Sequence, residues 1–295
     1  MHYPVGDARF IVRRWEQTER APKALGCAIT ARAGRFGVMI LMLYALGVFL
    51  GFAVLERVAS GYAWPHEPWW VLRGLFWFGA NLAVGHYASI ELHDLVAHHT
   101  LIDLHFLGLW AALPALFVYE LLTYGFHRAL HAHPLLWRVH QLHHSSERID
   151  VWSTWRAHPF EQVLYTGSSV LVSVGLMGTT GEAAFLVSIV LLLVGHLQHS
   201  NLRTPRWLGY WVARPENHML HHARGAHVLN YSDFPVIDML FGTFSLPDEA
   251  PREVGFWQGA SRRVVRMIGG VDVTMVPRSK ESLVRLDDGP LKPLE

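Results

Sequence analysis

Cysteine is almost absent from this 295-residue chain, whose only thiol is Cys27. A lone cysteine excludes an internal disulfide, a four-cysteine zinc site and an iron–sulfur centre ligated by this chain alone. Charged residues are also few, at 17%, and the net charge is +1. Because nucleic-acid-binding domains carry clustered positive charge, we expect no nucleic-acid partner.

Several familiar catalytic signatures are missing as well. The chain has no H-E-x-x-H of a zinc protease, no paired Glu-x-x-His of a carboxylate di-iron bundle, no G-x-S-x-G nucleophile elbow and no phosphate-binding loop. The chemistry of this protein must therefore come from another set of side chains.

Apolar segments are abundant, and the hydrophobic content of the chain is 51%. Residues 36–55 are uncharged, and as a helix they would extend about 30 Å, enough to cross a bilayer. Further apolar stretches cover 69–90 and 106–124, and 163–195 forms two short runs broken at 178–181. The last region predicts a helical hairpin that enters and leaves the bilayer on one face. We expect an all-α, integral-membrane fold with a cytoplasmic, histidine-rich, metal-binding cap.

This pattern predicts four regions along the chain. They are a basic N-terminal segment at 1–35, transmembrane helices at 36–124, a histidine-rich catalytic region at 125–247 that includes the hairpin 163–195, and a C-terminal extension at 248–295. Arginines surround the histidine-rich region, so the positive-inside rule places it on the cytoplasmic face of a multi-pass protein. The same rule places the basic N-terminal segment on the cytoplasmic side. Both placements require an even number of crossings before residue 127, whereas three apolar stretches precede it, so the number of crossings stays open.

Histidine is the residue in excess, with 20 in the chain. Ten of them form four tightly spaced groups, in which members three or four positions apart share a helix face. The groups are His127 and His131; His140, His143 and His144; His196 and His199; and His218, His221 and His222. Ten imidazoles exceed the needs of one ion, so we predict two metal ions close together, and imidazole suits iron, zinc, copper and nickel alike.

The remaining histidines are expected to be ordinary surface or core residues, because isolated histidines usually are. This group includes His98, His99 and His227. The four spaced groups are different, since burying so many imidazoles without a metal would leave many polar atoms unsatisfied.

The order and spacing of these motifs resemble the sterol desaturase / fatty acid hydroxylase superfamily of integral-membrane di-iron enzymes. The resemblance spans roughly residues 70–247. It rests on YGFHR at 124–128, LWRVHQLHHS at 136–145, RAHPFE at 156–161, HSNL at 199–202, NY at 230–231 and DMLFGT at 238–243. Glu120, Gly125 and Ser232 depart from the family's usual residues without removing a histidine motif.

The resemblance implies two iron ions held by the ten histidines, with zinc as a possible occupant, and O2 as co-substrate. The implied reaction is hydroxylation or desaturation of a lipid or sterol-like substrate. Electrons would come from a separate ferredoxin or reductase, because neither His-Pro pair continues as the Gly-Gly of a fused haem domain.

Four further side chains are expected near this di-metal centre. Glu120 and Tyr124 share a helical face with the first histidine pair, so Glu120 either orients a ligating ring or is a charge at a helix end. His158 and Glu161 would serve as an extra ligand or as an orienting pair, and Arg156 is expected to form a salt bridge with Glu161.

Two alternatives remain open. One is a metal-binding membrane protein without redox chemistry, such as a transporter or a structural zinc protein. A transporter should place its ionisable residues in mid-span, whereas these histidine groups lie at the ends of the apolar runs, which favours the enzyme. The other is a degenerate family member kept for a structural role, although all ten histidines are present.

Overall fold

The computed structural model describes residues 39–276, so the predicted N-terminal segment 1–35 and the end of the C-terminal extension lie outside the described residues. The chain divides into two compact units, Met1–Leu46 and Gly47–Glu295, and all histidine groups lie in the second. Within the described part, every regular element is a helix, and the one β-pairing is an isolated bridge between Ala223 and Val254. The prediction of an all-α fold is confirmed.

Nine helices form the described part of the chain. In chain order they are α1 Met39–Val58, α2 Trp70–Val96, α3 Ala112–Ala132, α4 Pro134–His144, α5 Pro159–Val170, α6 Gly181–Gln198, α7 Pro215–His221, α8 Val236–Phe241 and α9 Val264–Ile268. A 3₁₀ turn at His105–Ala111 leads into α3, and a π-helical turn at Leu171–Leu176 extends α5.

Three described segments are long and apolar enough to cross a membrane: α1, α3 with its leading 3₁₀ turn, and α6. Within the described residues, α2 is not among them although it has 27 residues, and it carries Arg73, Glu91 and Asp94. Large apolar side chains such as Leu43, Val54 and Leu113 are more than 60% exposed. Such outward-facing apolar surface suits lipid rather than water.

Three helices beside the histidine groups begin at prolines. Pro134, Pro159 and Pro215 each occupy the first helical position of α4, α5 and α7, where the missing N–H costs nothing. The residue before each proline is extended, as proline requires. The chain therefore turns sharply into each short helix, and in α4 and α7 this turn fixes where the following histidines point.

Gly74 allows α2 to pack closely on the 3₁₀ turn Val151–Ser153. A Cβ atom at this position would lie 2.8 Å from both the Cβ and the carbonyl oxygen of Trp152. Two hydrogen bonds reinforce the packing: the Trp70 indole donates to Asp150 at 2.8 Å, and Asn81 donates to the carbonyl of Trp155 at 2.7 Å. The turn that α2 supports lies between the second histidine group and α5.

Gly74→Ala is expected to lower the free energy of unfolding by about 1–3 kcal/mol, because the added methyl group overpacks this contact. Gly79→Ala in the same helix is the matched control, since nothing lies within 4 Å of its Cβ position. Alanine's higher helix propensity should make that variant neutral or up to about 1 kcal/mol more stable. Thermal unfolding in detergent compares them, and equal stability of the two variants would contradict the packing argument.

Candidate metal centre

Nine imidazoles gather into two groups in which all candidate ligand nitrogens lie within 4.8 Å of one another. The five-histidine cluster contains His127, His131, His140, His144 and His221. The four-histidine cluster contains His143, His199, His218 and His222. The two clusters adjoin, because the rings of His144 and His222 stack with centroids 4.1 Å apart.

Helical spacing explains how the clusters are assembled. The pair from α3 enters the five-histidine cluster, and His199 caps the end of α6 in the four-histidine cluster. Helices α4 and α7 contribute to both clusters. His143 belongs to a different cluster from the other histidines of α4, and His221 to a different cluster from His218 in α7. Each of these two short helices therefore ties one cluster to the other.

The Nε2 atoms of neighbouring rings converge inside each cluster. In the five-histidine cluster, His140 Nε2 lies 3.1 Å from His127 Nε2 and 3.0 Å from His144 Nε2. In the four-histidine cluster, His218 Nε2 lies 2.9 Å from His199 Nε2 and 3.0 Å from His222 Nε2. Two nitrogens bound at about 2.0–2.1 Å to one ion lie roughly 2.9–3.4 Å apart. The spacing within each cluster therefore fits a shared metal ion.

The outer Nδ1 atoms of most clustered rings contact acceptors on the surrounding protein. His127 and His221 donate to the backbone carbonyls of Tyr231 and Leu229, at 2.6 and 2.7 Å. His199 donates to the carbonyl of Gly195 at 2.8 Å. A carbonyl at Nδ1 keeps the proton there, which leaves the Nε2 lone pair free to bind a metal.

Burial keeps these rings neutral. Desolvation, reinforced by neighbouring imidazoles, lowers the pKa values of His140, His143, His144, His218, His221 and His222 well below the usual value for histidine. Desolvation lowers the pKa of His199 to about 4. Neutral imidazole is the form that binds a metal, so the clusters are ready for one at neutral pH.

His196 is the one predicted ligand that the structure does not bring to either cluster. Its Nδ1 donates to the carbonyl of Leu192 at 2.7 Å, and its Nε2 accepts the indole N–H of Trp155 at 3.1 Å. The ring lies beside Phe49 and Phe52, with centroids 6.1 and 6.0 Å away. Both ring nitrogens are thus engaged by protein, and none is left for a metal.

Glu161 contacts a clustered ring directly. Its Oε1 accepts the Nδ1–H of His140 at 2.9 Å, and its side chain is 3% exposed. Burial raises the pKa of Glu161 to about 8. The prediction of a salt bridge between Arg156 and Glu161 is wrong. The Arg156 guanidinium instead donates to the carbonyls of Leu142 and Ser261, because Arg156 precedes α5 and faces the end of α4.

The other three residues predicted near the centre do not contact the clustered rings through a hydrogen bond. His158 caps α5 by accepting the N–H of Phe160. Glu120 accepts the backbone N–H of Asp233 at 3.1 Å, and Tyr124 bonds to the Thr243 hydroxyl at 3.0 Å. Glu120 and Tyr124 thus hold the chain segment that follows the last histidine group.

His227 is a contact of the centre that the sequence analysis treated as ordinary. Its Nδ1 lies 3.2 Å from the Nδ1 of His144. It stands five positions after His222, so no helical spacing relates it to the groups. The sequence contains no signal that would have identified it.

A family model described as fatty acid hydroxylase matches residues 112–243, which contain all nine clustered histidines. The chain is 36% identical over 137 residues to the very-long-chain aldehyde decarbonylase GL1-5 of Oryza sativa subsp. indica, covering 42% of this chain and 22% of that protein. It is 34% identical over 137 residues to the ornithine lipid hydroxylase OlsE of Rhizobium tropici, covering 45% of this chain and 41% of that protein. The chain thus spans less than half the length of these relatives, and no solved structure matches it.

Proposed function

We propose that the protein is a membrane-bound, O2-dependent di-iron enzyme that hydroxylates or desaturates a lipid or sterol-like substrate, because a family model described as fatty acid hydroxylase matches residues 112–243. The observation that carries this proposal is the pair of adjoining imidazole clusters, each with nitrogens spaced for one shared ion. The five-histidine cluster would hold one iron and the four-histidine cluster the other. When bound, such a pair supplies the activation of O2 that oxidation of an unactivated C–H bond requires.

The chain's own residues prepare the centre. Backbone carbonyls and Glu161 keep protons on the outer ring nitrogens, so the inner nitrogens present lone pairs. Burial of the rings excludes water from the reacting groups. The carboxylate of Glu161 has a second oxygen, Oε2, that is buried without a hydrogen-bond partner, so it can hold a proton beside His140.

The substrate class follows from the relatives and from the apolar surface. Two relatives are named for reactions on lipid-like molecules, an ornithine lipid and a very-long-chain aldehyde. The exposed apolar side chains on α1 and α3 would place these helices in the hydrocarbon core of the bilayer, where the acyl chain of a lipid substrate also lies. A separate electron donor, a ferredoxin or a reductase, completes the proposal, with the histidine centre on the cytoplasmic face of a multi-pass protein.

A non-redox zinc protein is the second candidate. The specific observation in its favour is that both clusters consist of imidazole alone, a ligand that zinc accepts as readily as iron does. A mononuclear or structural zinc site usually needs only four ligands, whereas nine are gathered here.

The proposed reaction is tested on the protein purified in detergent, with its bound metals counted. The iron-loaded protein is given host lipid extract, a ferredoxin with its reductase, and ¹⁸O2. Hydroxylation adds one ¹⁸O atom to a lipid, desaturation removes two hydrogens without adding label, and metal-free protein is the control. Stoichiometric zinc together with no lipid product in the presence of the working donor would refute the oxygenase.

A further inference from the structure

The segment 227–231, called here the 227–231 loop, has an unusual backbone. His227, Leu229 and Asn230 have φ values of +49°, +66° and +48°. Left-handed conformations are strained in residues other than glycine, least so in asparagine, and persist where the surroundings impose them. Among the described residues, Trp69 is the only other such case outside glycine. Three of these conformations in four positions call for a physical cause.

The strained backbone directs three groups of the loop toward the same cluster. Each group meets the outer nitrogen of a different imidazole in the five-histidine cluster. The contacts are His227 Nδ1 with His144 Nδ1 at 3.2 Å, the Leu229 carbonyl with His221 Nδ1 at 2.7 Å, and the Tyr231 carbonyl with His127 Nδ1 at 2.6 Å. One short loop thus sets the outer contacts of three of the five rings.

The four-histidine cluster takes its outer contacts from elsewhere. His199 Nδ1 donates to the carbonyl of Gly195 within its own helix, and His143 Nδ1 lies 3.3 Å from the carbonyl of Arg156. The described hydrogen bonds include none from the 227–231 loop to this cluster. The two clusters therefore differ in what orients their rings.

Buried side chains hold the loop in place. Asn230 is 4% exposed, donates to the carbonyl of Asn217 at 3.0 Å and accepts the N–H of Ser245 at 2.8 Å. Asp238 is 1% exposed and accepts the N–H groups of Tyr231 and Ser232 at 2.8 and 2.9 Å. These bonds stabilise the backbone against its own strain, so the carbonyls stay where the rings need them.

We propose that the 227–231 loop is a clamp that sets the ring orientation and tautomer of three ligands, and that His227 is a positioning residue acting through His144. The proposal rests on the proposed metal pair. Loss of the clamp weakens binding of the ion in the five-histidine cluster and leaves the ion in the four-histidine cluster unchanged. His227 differs from the other two groups of the loop, because an imidazole, instead of a carbonyl or carboxylate, contacts the outer nitrogen of His144.

Single-cluster backgrounds make the test specific. His199→Ala leaves the five-histidine cluster as the intact site, and the double variant His140→Ala/His221→Ala leaves the four-histidine cluster as the intact site. His227→Phe, which keeps a ring but removes the acceptor, and His227→Gln, whose amide oxygen can accept from His144, are placed in each background. Affinity for cobalt(II) is measured by competition with a chelator, and the visible absorption of cobalt(II) reports the coordination geometry.

In the His199→Ala background, His227→Phe should weaken cobalt(II) binding about 10- to 100-fold, the usual effect of removing a group that orients a ligand. His227→Gln should recover most of that loss and restore the absorption spectrum. In the His140→Ala/His221→Ala background, neither change should alter the affinity. Unchanged affinity for His227→Phe in the first background, or equal losses in both backgrounds, would overturn the clamp.

Asn230→Gly gives a second test that does not depend on replacing His227. Glycine tolerates the left-handed backbone but removes the two side-chain bonds that hold the loop. It should also weaken cobalt(II) binding only in the His199→Ala background, and an equal effect in both backgrounds would again overturn the clamp. Failure of the unsubstituted protein to bind two cobalt(II) ions would instead refute the proposed metal pair, so the two failures are distinguishable.

Discussion

His199→Ala is expected to lower the iron content from two ions per chain to one, with activity on lipid falling more than about 100-fold. His199 Nε2 lies within 3.2 Å of the Nε2 atoms of both His143 and His218. Removing it takes one of four ligands from that cluster, and loss of a ligand should cost more than the roughly 10- to 100-fold seen when only an orienting partner is lost. Metal analysis of the purified protein and the lipid assay measure the two effects.

His196→Ala is the matched control for this prediction. His196 lies three residues earlier, is equally buried and belongs to the same predicted group, but its ring nitrogens bond to Leu192 and Trp155. This variant should keep both iron ions, and only the stability of the protein should fall. If His196→Ala also released an iron, or if His199→Ala kept two, the assignment of ligands in α6 would be wrong.

Arg156→Leu is expected to lower the free energy of unfolding by about 3 kcal/mol. The Arg156 side chain is 1% exposed and donates to the carbonyls of Leu142 and Ser261 and to the Ser145 hydroxyl. Leucine would leave buried acceptors without a donor, and bonds from a charged group are each worth about 1.5–3 kcal/mol. The denaturation midpoint of the metal-free protein in detergent measures the loss without a contribution from bound metal.

Arg138→Leu supplies the comparison, because Arg138 lies in α4, the helix whose end Arg156 contacts, and its side chain is exposed. A surface substitution of this kind should change the free energy of unfolding by no more than about 0.5 kcal/mol. Similar midpoints for the two leucine variants would show that the Arg156 bonds do not hold the end of α4 in place.

Local spacing explains what the sequence predicted well. Residues three or four apart on a helix must share a face, so the pairing of His127 with His131 and of His140 with His144 needed no tertiary information. Long apolar runs likewise predicted an all-α fold, because a helix satisfies every backbone group within itself. Order and spacing also predicted the resemblance to the fatty acid hydroxylase superfamily, and a family model of that description matches residues 112–243.

Other features depend on contacts that spacing cannot reveal. His196 and His199 have the spacing of a ligand pair, yet α6 ends at Gln198 and the two rings diverge. His227 reaches the centre through a backbone conformation that its residue type does not favour. The Arg156 side chain bonds to the end of α4 instead of to Glu161, because Pro159 starts a new helix between them.

The sharing of α4 and α7 between the two clusters has a mechanical consequence. Consecutive residues in a helix are separated by about 100° and 1.5 Å, and His143 and His144 are consecutive residues serving different clusters. The helical geometry of α4 therefore sets the separation between the two clusters, and with it the distance between the two proposed ions. Any twist or slide of α4 displaces histidines of both clusters at once, whereas a shift of α3 displaces histidines of the five-histidine cluster alone.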